Sequence, residues 1–210
     1  MFTIKKSLGQ HFLHDENVCQ KIVAALQQYP FEQLLEVGPG AGAITKYLIK
    51  IPSIDFKAIE LDREKIAYLG KKYPDIAAKL IEADILNTPV PFEKNFTLVG
   101  NFPYNISSQI LFKVVEWKDQ VDCMVGMFQK EVAQRVASPA GSKVYGVTSV
   151  LIQAFFAVDY LFEVGEASFT PPPKVKSAVI RLRALKVKPH IKSERALFSL
   201  VKTAFNQRRK

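Results

Sequence analysis

The 210 residues are 48% hydrophobic and carry a formal net charge of +9, enough chain to bury one good core with at most a small appendage. No apolar stretch is long enough to span a bilayer, and no apolar segment follows Lys5 and Lys6, so neither a membrane span nor a signal peptide is expected. Cys19 and Cys123, with His11, His14 and His190, form no metal-ligand or redox spacing, so the expectation is no metal, two inert thiols and a cytoplasmic protein.

A helical pattern over residues 15–28 precedes the first strand candidate, 33–37. That strand runs into Glu36-Val37-Gly38-Pro39-Gly40-Ala41-Gly42, and a second helical pattern covers 43–50. Glycines at such a turn let the backbone approach a ligand, at a helix N-terminus whose N–H groups point outward. Gly38 and Gly40 are therefore candidate cofactor contacts, although one glycine-rich turn is weak evidence alone. The next strand, 56–60, ends at Glu60, at the distance expected of an acidic partner for ribose hydroxyls. Asp62 is placed to cap the helix that follows over 62–73. A third strand, 79–83, ends at Asp84, which can accept from an adenine amine. The spacing of Gly38, Gly40 and Gly42 is tighter than the dinucleotide pattern G-x-G-x-x-G. A cofactor without a pyrophosphate suits it better, and S-adenosylmethionine is such a cofactor.

The fourth strand, 96–100, leads into Asn101-Phe102-Pro103-Tyr104. The Asn101 oxygen can accept one N–H of a flat exocyclic amine, and a backbone carbonyl next to Pro103 the other. Tyr104 can stack on the base. With both N–H groups held, the nitrogen lone pair turns toward an electrophile. A helix follows over 106–117, with Asn105 and Ser107 as its caps, then a strand over 121–127 and helices over 128–137 and 144–157. Strands over 160–164 and 175–184 close the sheet as an antiparallel pair, interrupted by Pro171-Pro172-Pro173. The βαβα rhythm predicts an α/β fold, a Rossmann-like and mostly parallel sheet with helices on both faces. A break near 187–189 divides residues 1–187 from 188–210, whose helix spans 191–205.

Together these segments resemble the ribosomal RNA adenine N6,N6-dimethyltransferase family almost end to end. Lys6-Ser7-Leu8-Gly9-Gln10-His11-Phe12-Leu13 resembles its N-terminal cofactor lid, and Glu36 to Gly42 its glycine loop. Glu60-Leu61-Asp62 and Glu82-Ala83-Asp84 resemble its ribose and adenine segments, and Gly100-Asn101-Phe102-Pro103-Tyr104-Asn105-Ile106-Ser107 its catalytic motif. Two later stretches, 128–135 and 169–179, match as well. The resemblance implies a class I S-adenosylmethionine-dependent methyltransferase with a seven-stranded sheet. It implies dimethylation of two neighbouring adenosines near the 3′ end of small-subunit rRNA. It adds His11, Leu13 and Asn101 to the cofactor contacts and places Phe169 beside the target base as a second aromatic wall after Asn101, Pro103 and Tyr104. It makes residues 188–210 the beginning of a small helical domain. The family usually has Asn where this chain has His11, and Leu is commoner than Phe102, a swap expected to concern packing.

Residues 171–210 hold 12 Lys or Arg and one acid, while residues 1–170 hold 17 Lys or Arg and 19 Asp or Glu. A basic block downstream of a base-modifying site marks an RNA-binding face, with Lys174, Lys176, Arg181, Arg183, Lys186, Lys188, Arg208, Arg209 and Lys210 as phosphate contacts. The expected partner is small-subunit rRNA within an immature subunit, engaged by a monomer. A large-subunit rRNA adenine dimethyltransferase, a DNA adenine methyltransferase and a ribosome-assembly factor that mainly binds remain alternatives. A nicotinamide dehydrogenase fits the glycine spacing poorly.

Overall fold

The computed structural model describes residues 11–187 and 190–207. In chain order, the short strand β1 (Phe12–Leu13) is followed by α1 (Glu16–Leu26), β2 (Gln33–Val37), α2 (Thr45–Leu48), β3 (Asp55–Glu60), α3 (Arg63–Lys72), β4 (Leu80–Glu82) and β5 (Phe96–Asn101). Then come α4 (Ser107–Glu116), β6 (Val121–Gln129), α5 (Lys130–Ala137), α6 (Val147–Gln153), β7 (Phe156–Val164), β8 (Phe169–Thr170), β9 (Ser177–Ala184) and α7 (Glu194–Asn206). Seven strands form one sheet in the order β4-β3-β2-β5-β6-β9-β7. The first five are parallel, and β9 runs antiparallel between β6 and β7.

Parallel neighbours need crossover connections, and helices α1 to α4 supply bulk on both faces. The central strands are apolar on both sides for that reason. In β2, Leu34 belongs to one buried cluster and Leu35 to the other, and in β5 Val99 and Leu98 divide in the same way, because successive side chains point to opposite faces. Asp15 caps α1 by accepting from the N–H groups of Asn17 and Val18, and Asp62 caps α3 by accepting from Glu64.

Three local readings differ from the sequence expectation. The helix expected over 144–157 ends at Gln153, because Phe156 already pairs with Ala184 as the first residue of β7. Its N-terminal turn is tied by the Gly146 N–H donating to Ser149 Oγ. Asn105 and Ser107 do not cap α4: Tyr104–Ile106 form a 3-10 turn, and Ser107 Oγ donates back to the Pro103 carbonyl. β1 and β8, unexpected from sequence, pair antiparallel, with Phe12 opposite Thr170 and Leu13 opposite Phe169. α7 lies against the preceding helical layer, with Phe198 6.3 Å from Phe112, Phe205 6.3 Å from Tyr145, and Val201 buried. Among the described residues no helix is long and apolar enough to cross a membrane.

Candidate active site

The parallel strands all deliver their C-terminal ends to one side of the sheet, the usual ligand edge of an open α/β fold. There the turns after β2, β3, β4 and β5 surround a cavity of about 220 Å³. His11, Leu13, Gly38, Gly40, Glu60, Asp84, Asn101, Pro103 and Tyr104 all line it. The lid residues Lys6 to Gln10 lie outside the described residues.

On the β2 side, Gly38 and Gly40 adopt φ of +67° and +57°, a region that side chains disfavour. A Cβ at Gly38 would meet nothing within 4 Å, so the backbone there is open to a ligand, whereas the place of a Cβ at Gly40 lies 3.5 Å from the Phe12 ring. Phe12 thus roofs the glycine turn. Glu60 is held by two backbone donors, Gly40 N–H at 3.1 Å and Asp62 N–H at 3.0 Å. Asp84 is held by one backbone donor, Leu86 N–H, and one side-chain donor, Asn87 Nδ2, each at 2.9 Å. Both carboxylates are fixed at the rim with acceptor capacity left over. Leu61, 54% exposed, offers an apolar flank between them.

Two charged lining residues were given no role of their own by the sequence. Glu36, 2% exposed, accepts from Thr45 Oγ1 at 2.7 Å. Burial pushes its carboxyl up to about 8, with the charge of Glu60 adding to the rise and the Thr45 hydrogen bond opposing it. A lone acid inside the apolar run of β2 was the available signal. Lys65, in the first turn of α3, is also 2% exposed.

On the β5 side, the Asn101 amide donates from Nδ2 to the His11 carbonyl at 3.1 Å. That bond orients the amide and leaves Oδ1 as an acceptor. His11 Nδ1 donates to the Pro171 carbonyl at 2.8 Å, and its ring lies 5.3 Å from that of Tyr104. The Tyr104 hydroxyl is 2.6 Å from Ser177 Oγ. Burial raises the phenol above its ordinary value, so it stays protonated at neutral pH. The Phe102 ring is buried where β5 and β6 pair Gly100 with Gly126. A Cβ at Gly126 would come within 2.4 Å of that ring, and one at Gly100 within 2.6 Å. Phe102 therefore packs in a slot that only two glycines leave open, and from there its backbone starts the Pro103 turn.

Three expected contacts lie elsewhere. Phe169 does not line the cavity: at 2% exposed it packs in the core behind β1, opposite Leu13. Arg181, 8% exposed, is turned into the protein: its guanidinium bonds Asp159 at 2.9 Å and Gln28, and lies over the Tyr29 ring. Arg183 shares Asp159 at 3.1 Å and the same ring. Lys174, Lys176 and Lys186 are exposed, and Lys188, Arg208, Arg209 and Lys210 lie outside the described residues. Among the described residues, no group of His, Cys, Asp or Glu could hold a metal ion.

Fold and site together define a Rossmann-like methyltransferase. The family described as ribosomal RNA adenine dimethylase matches residues 1–210, and the chain belongs to it. A curated relative from Cytophaga hutchinsonii, ribosomal RNA small subunit methyltransferase A, is 48% identical over 98% of this chain and 81% of its own length. Among solved structures, a dimethyladenosine transferase from Plasmodium falciparum superposes with a TM-score of 0.83 at 28% identity, over 95% of this chain and 72% of that one. The 23S rRNA methyltransferase ErmE gives 0.77 at 26% identity, over 93% and 79%.

Proposed function

We propose that the protein transfers methyl groups from S-adenosylmethionine to N6 of two adjacent adenosines near the 3′ end of small-subunit rRNA, acting as a monomer on an immature subunit in the cytoplasm. The observation that carries the reading is the Asn101 amide, fixed by the His11 carbonyl with Oδ1 left as acceptor beside Tyr104. A nucleoside cofactor suits the other half of the cavity. Glu60 would take its ribose hydroxyls, Asp84 its adenine amine, and the bare backbone of Gly38 its amino-acid tail. Bound there, S-adenosylmethionine supplies a methyl group on a sulfonium.

Asn101 Oδ1 and a carbonyl next to Pro103 accept the two N–H groups of the target amine, which exposes the nitrogen lone pair. Tyr104 stacks on the base, which must leave its own stack to enter. As the amine nitrogen bonded the methyl carbon, the carbon–sulfur bond would break, with its electron pair going to sulfur and S-adenosylhomocysteine leaving. The amine would become ammonium-like and lose a proton to solvent, so no strong base is needed. Positioning of this kind supplies about 7–11 kcal/mol in well-aligned systems. After the first transfer one N–H remains to be held, so the second relies more on stacking. Residues 1–187 form the methyltransferase domain, and α7 belongs to a small helical domain. Lys174, Lys176 and Lys186 are the exposed basic residues among the described ones that would meet RNA phosphates, joined by Lys188, Arg208, Arg209 and Lys210.

The test is transfer of labelled methyl to small subunits that lack the 3′-terminal dimethyladenosines, with Asn101→Ala as control. Label recovered as N6,N6-dimethyladenosine, and lost in the variant, supports the reading. Label found only with large-subunit rRNA would move the substrate to the 23S class of ErmE.

A further inference from the structure

Lys65 sits in the first turns of α3, three residues after the cap Asp62, yet almost none of its side chain reaches solvent. Burying an ammonium is costly unless its charge is met. Among the groups that meet it are Asp62 Oδ2 at 3.9 Å and the face of the Phe12 ring, 4.9 Å from Nζ to the centroid. Both Lys65 and Phe12 line the cavity.

The contacts close a circle. Phe12 covers Gly40, the Gly40 N–H is held by Glu60, Glu60 also holds the Asp62 N–H, and Asp62 and Phe12 together hold Lys65. The strap around Phe12 is fastened on its far side as well. There β8 pairs with β1, Ser168 O accepts from His14 N–H at 3.0 Å, and Pro171 O accepts from His11 Nδ1. Within this circle Lys65 is the residue that ties the strap to the ribose side of the cavity.

We infer that Lys65 is a positioning residue for the cofactor, whose ammonium latches the Phe12 strap shut over the glycine turn and slows cofactor release. The inference rests on the cofactor reading above. Lys65 acts through Phe12, and an apolar residue of equal length would fill the space without holding the ring. A cation over a desolvated aromatic face is a specific attraction, lost with the charge.

The experiment measures dissociation of labelled S-adenosylmethionine from the full chain and from Lys65→Met, Lys65→Arg, Phe12→Leu and the double variant Lys65→Met with Phe12→Leu. Lys65→Met is expected to raise the dissociation constant roughly tenfold through faster release, the size of one desolvated cation–π contact. The loss should fall on cofactor KM more than on kcat. Lys65→Arg, which keeps the charge, should recover most of it. Phe12→Leu should weaken binding by a similar factor, and the double variant should bind no worse than either single one, because both remove the same contact.

An unchanged release rate in Lys65→Met, or losses that multiply in the double variant, would overturn the latch. If Lys65→Met fails to fold by circular dichroism, Lys65→Gln and Lys65→Arg carry the comparison. A large release-rate gap between those two supports the latch, and equal rates refute it. Failure of the parent chain to bind S-adenosylmethionine at all would instead sink the cofactor reading, so the two failures are separable.

Discussion

Glu60 and Asp84 on the β3-β4 side of the sheet, and Arg181 and Arg183 on the β9-β7 side, are all charged groups on or just past strands, yet the fold uses them in opposite ways. The carboxylates are held by backbone N–H groups at the cavity rim, with lone pairs left for a ligand. The Arg181 guanidinium turns onto Asp159, Gln28 and Tyr29 and is spent within the protein, and Arg183, whose side chain is 37% exposed, shares Asp159 and Tyr29. Charge near a strand end thus marks a site only where the neighbouring backbone leaves it capacity to bind. The parallel half of the sheet does so, because its strand ends open into turns. In the antiparallel half, Arg181 and Arg183 lie within the strand and point to a face already met by the segment after α1.

The sharpest break of this comparison is Asn101→Ala, which removes the acceptor while leaving Glu60, Asp84 and the glycine turn in place. Methyl transfer should fall by about 10²-fold or more, the scale of a lost positioning contact, while cofactor binding stays nearly intact. Equal loss of both, read by a transfer assay beside a binding titration, would mean that the two halves of the cavity are one unit.

Gly126→Ala attacks the same motif from behind. Its Cβ would lie 2.4 Å from the Phe102 ring and 2.8 Å from that of Phe128, and overpacking of this kind costs about 1–3 kcal/mol. Adding Phe102→Leu should recover most of the loss in urea melts. An unrecovered double variant would show that the clash lies with Phe128 instead.

The fold was legible because β2, β3, β5 and β6 are covered on both faces and read as short apolar runs between turns. That the glycines and acids after β2, β3 and β4 would line one cavity was legible because they sit at fixed distances along the chain. The β1–β8 pair was not: it joins two-residue strands from opposite ends of the chain, and no pattern can emerge from two residues. The helix over 144–157 overran because the apolar stretch Ala154-Phe155-Phe156-Ala157-Val158 continues from α6 into β7 without a breaker. Arg181 and Arg183 alternate with Ile180 and Leu182 as a solvent-facing pair would. What meets them is Tyr29, with Gln28 on Arg181 as well, over 150 residues away in sequence. Lys65 is hidden by a shorter but still non-local contact, since Phe12 reaches it from about 50 residues upstream.

Glu36 sharpens the comparison from within the cofactor half, as a carboxyl buried behind the rim rather than on it. Its folded value of about 8 lies above the ordinary 4.5. Between those two values the folded chain keeps a proton that the unfolded chain has released. Stability therefore falls as pH rises through this window and levels off above about pH 8. The slope contributed is about 1.4 kcal/mol per pH unit at most. Glu36→Gln should flatten it, changing little at pH 4 and gaining stability at pH 8, as read from urea midpoints without cofactor. A parent chain whose midpoint does not move between pH 5 and 8 would rule out the buried neutral acid.

The smallest effect separates the two kinds of basic residue directly. Lys174 and Lys176 are exposed on the loop between the Pro171 turn and β9, three residues and one residue before Ser177, which meets the Tyr104 hydroxyl. If they touch phosphates of a single-stranded rRNA segment, replacing both with Ala should lower the slope of log affinity against log salt by about 1.4, near 0.7 for each contact. Folding stability should stay within about 0.5 kcal/mol, as for ordinary surface changes. Arg181→Ala should do the reverse: a loss of about 2 kcal/mol or more in stability, since it breaks a largely buried pair, with the salt slope unchanged. A changed slope in Arg181→Ala at preserved stability would mean that its bonds to Asp159 and Gln28 open when RNA binds. In that case the inward face of β9 would join the RNA surface, and the contrast between the two edges of the sheet would hold only for the free protein.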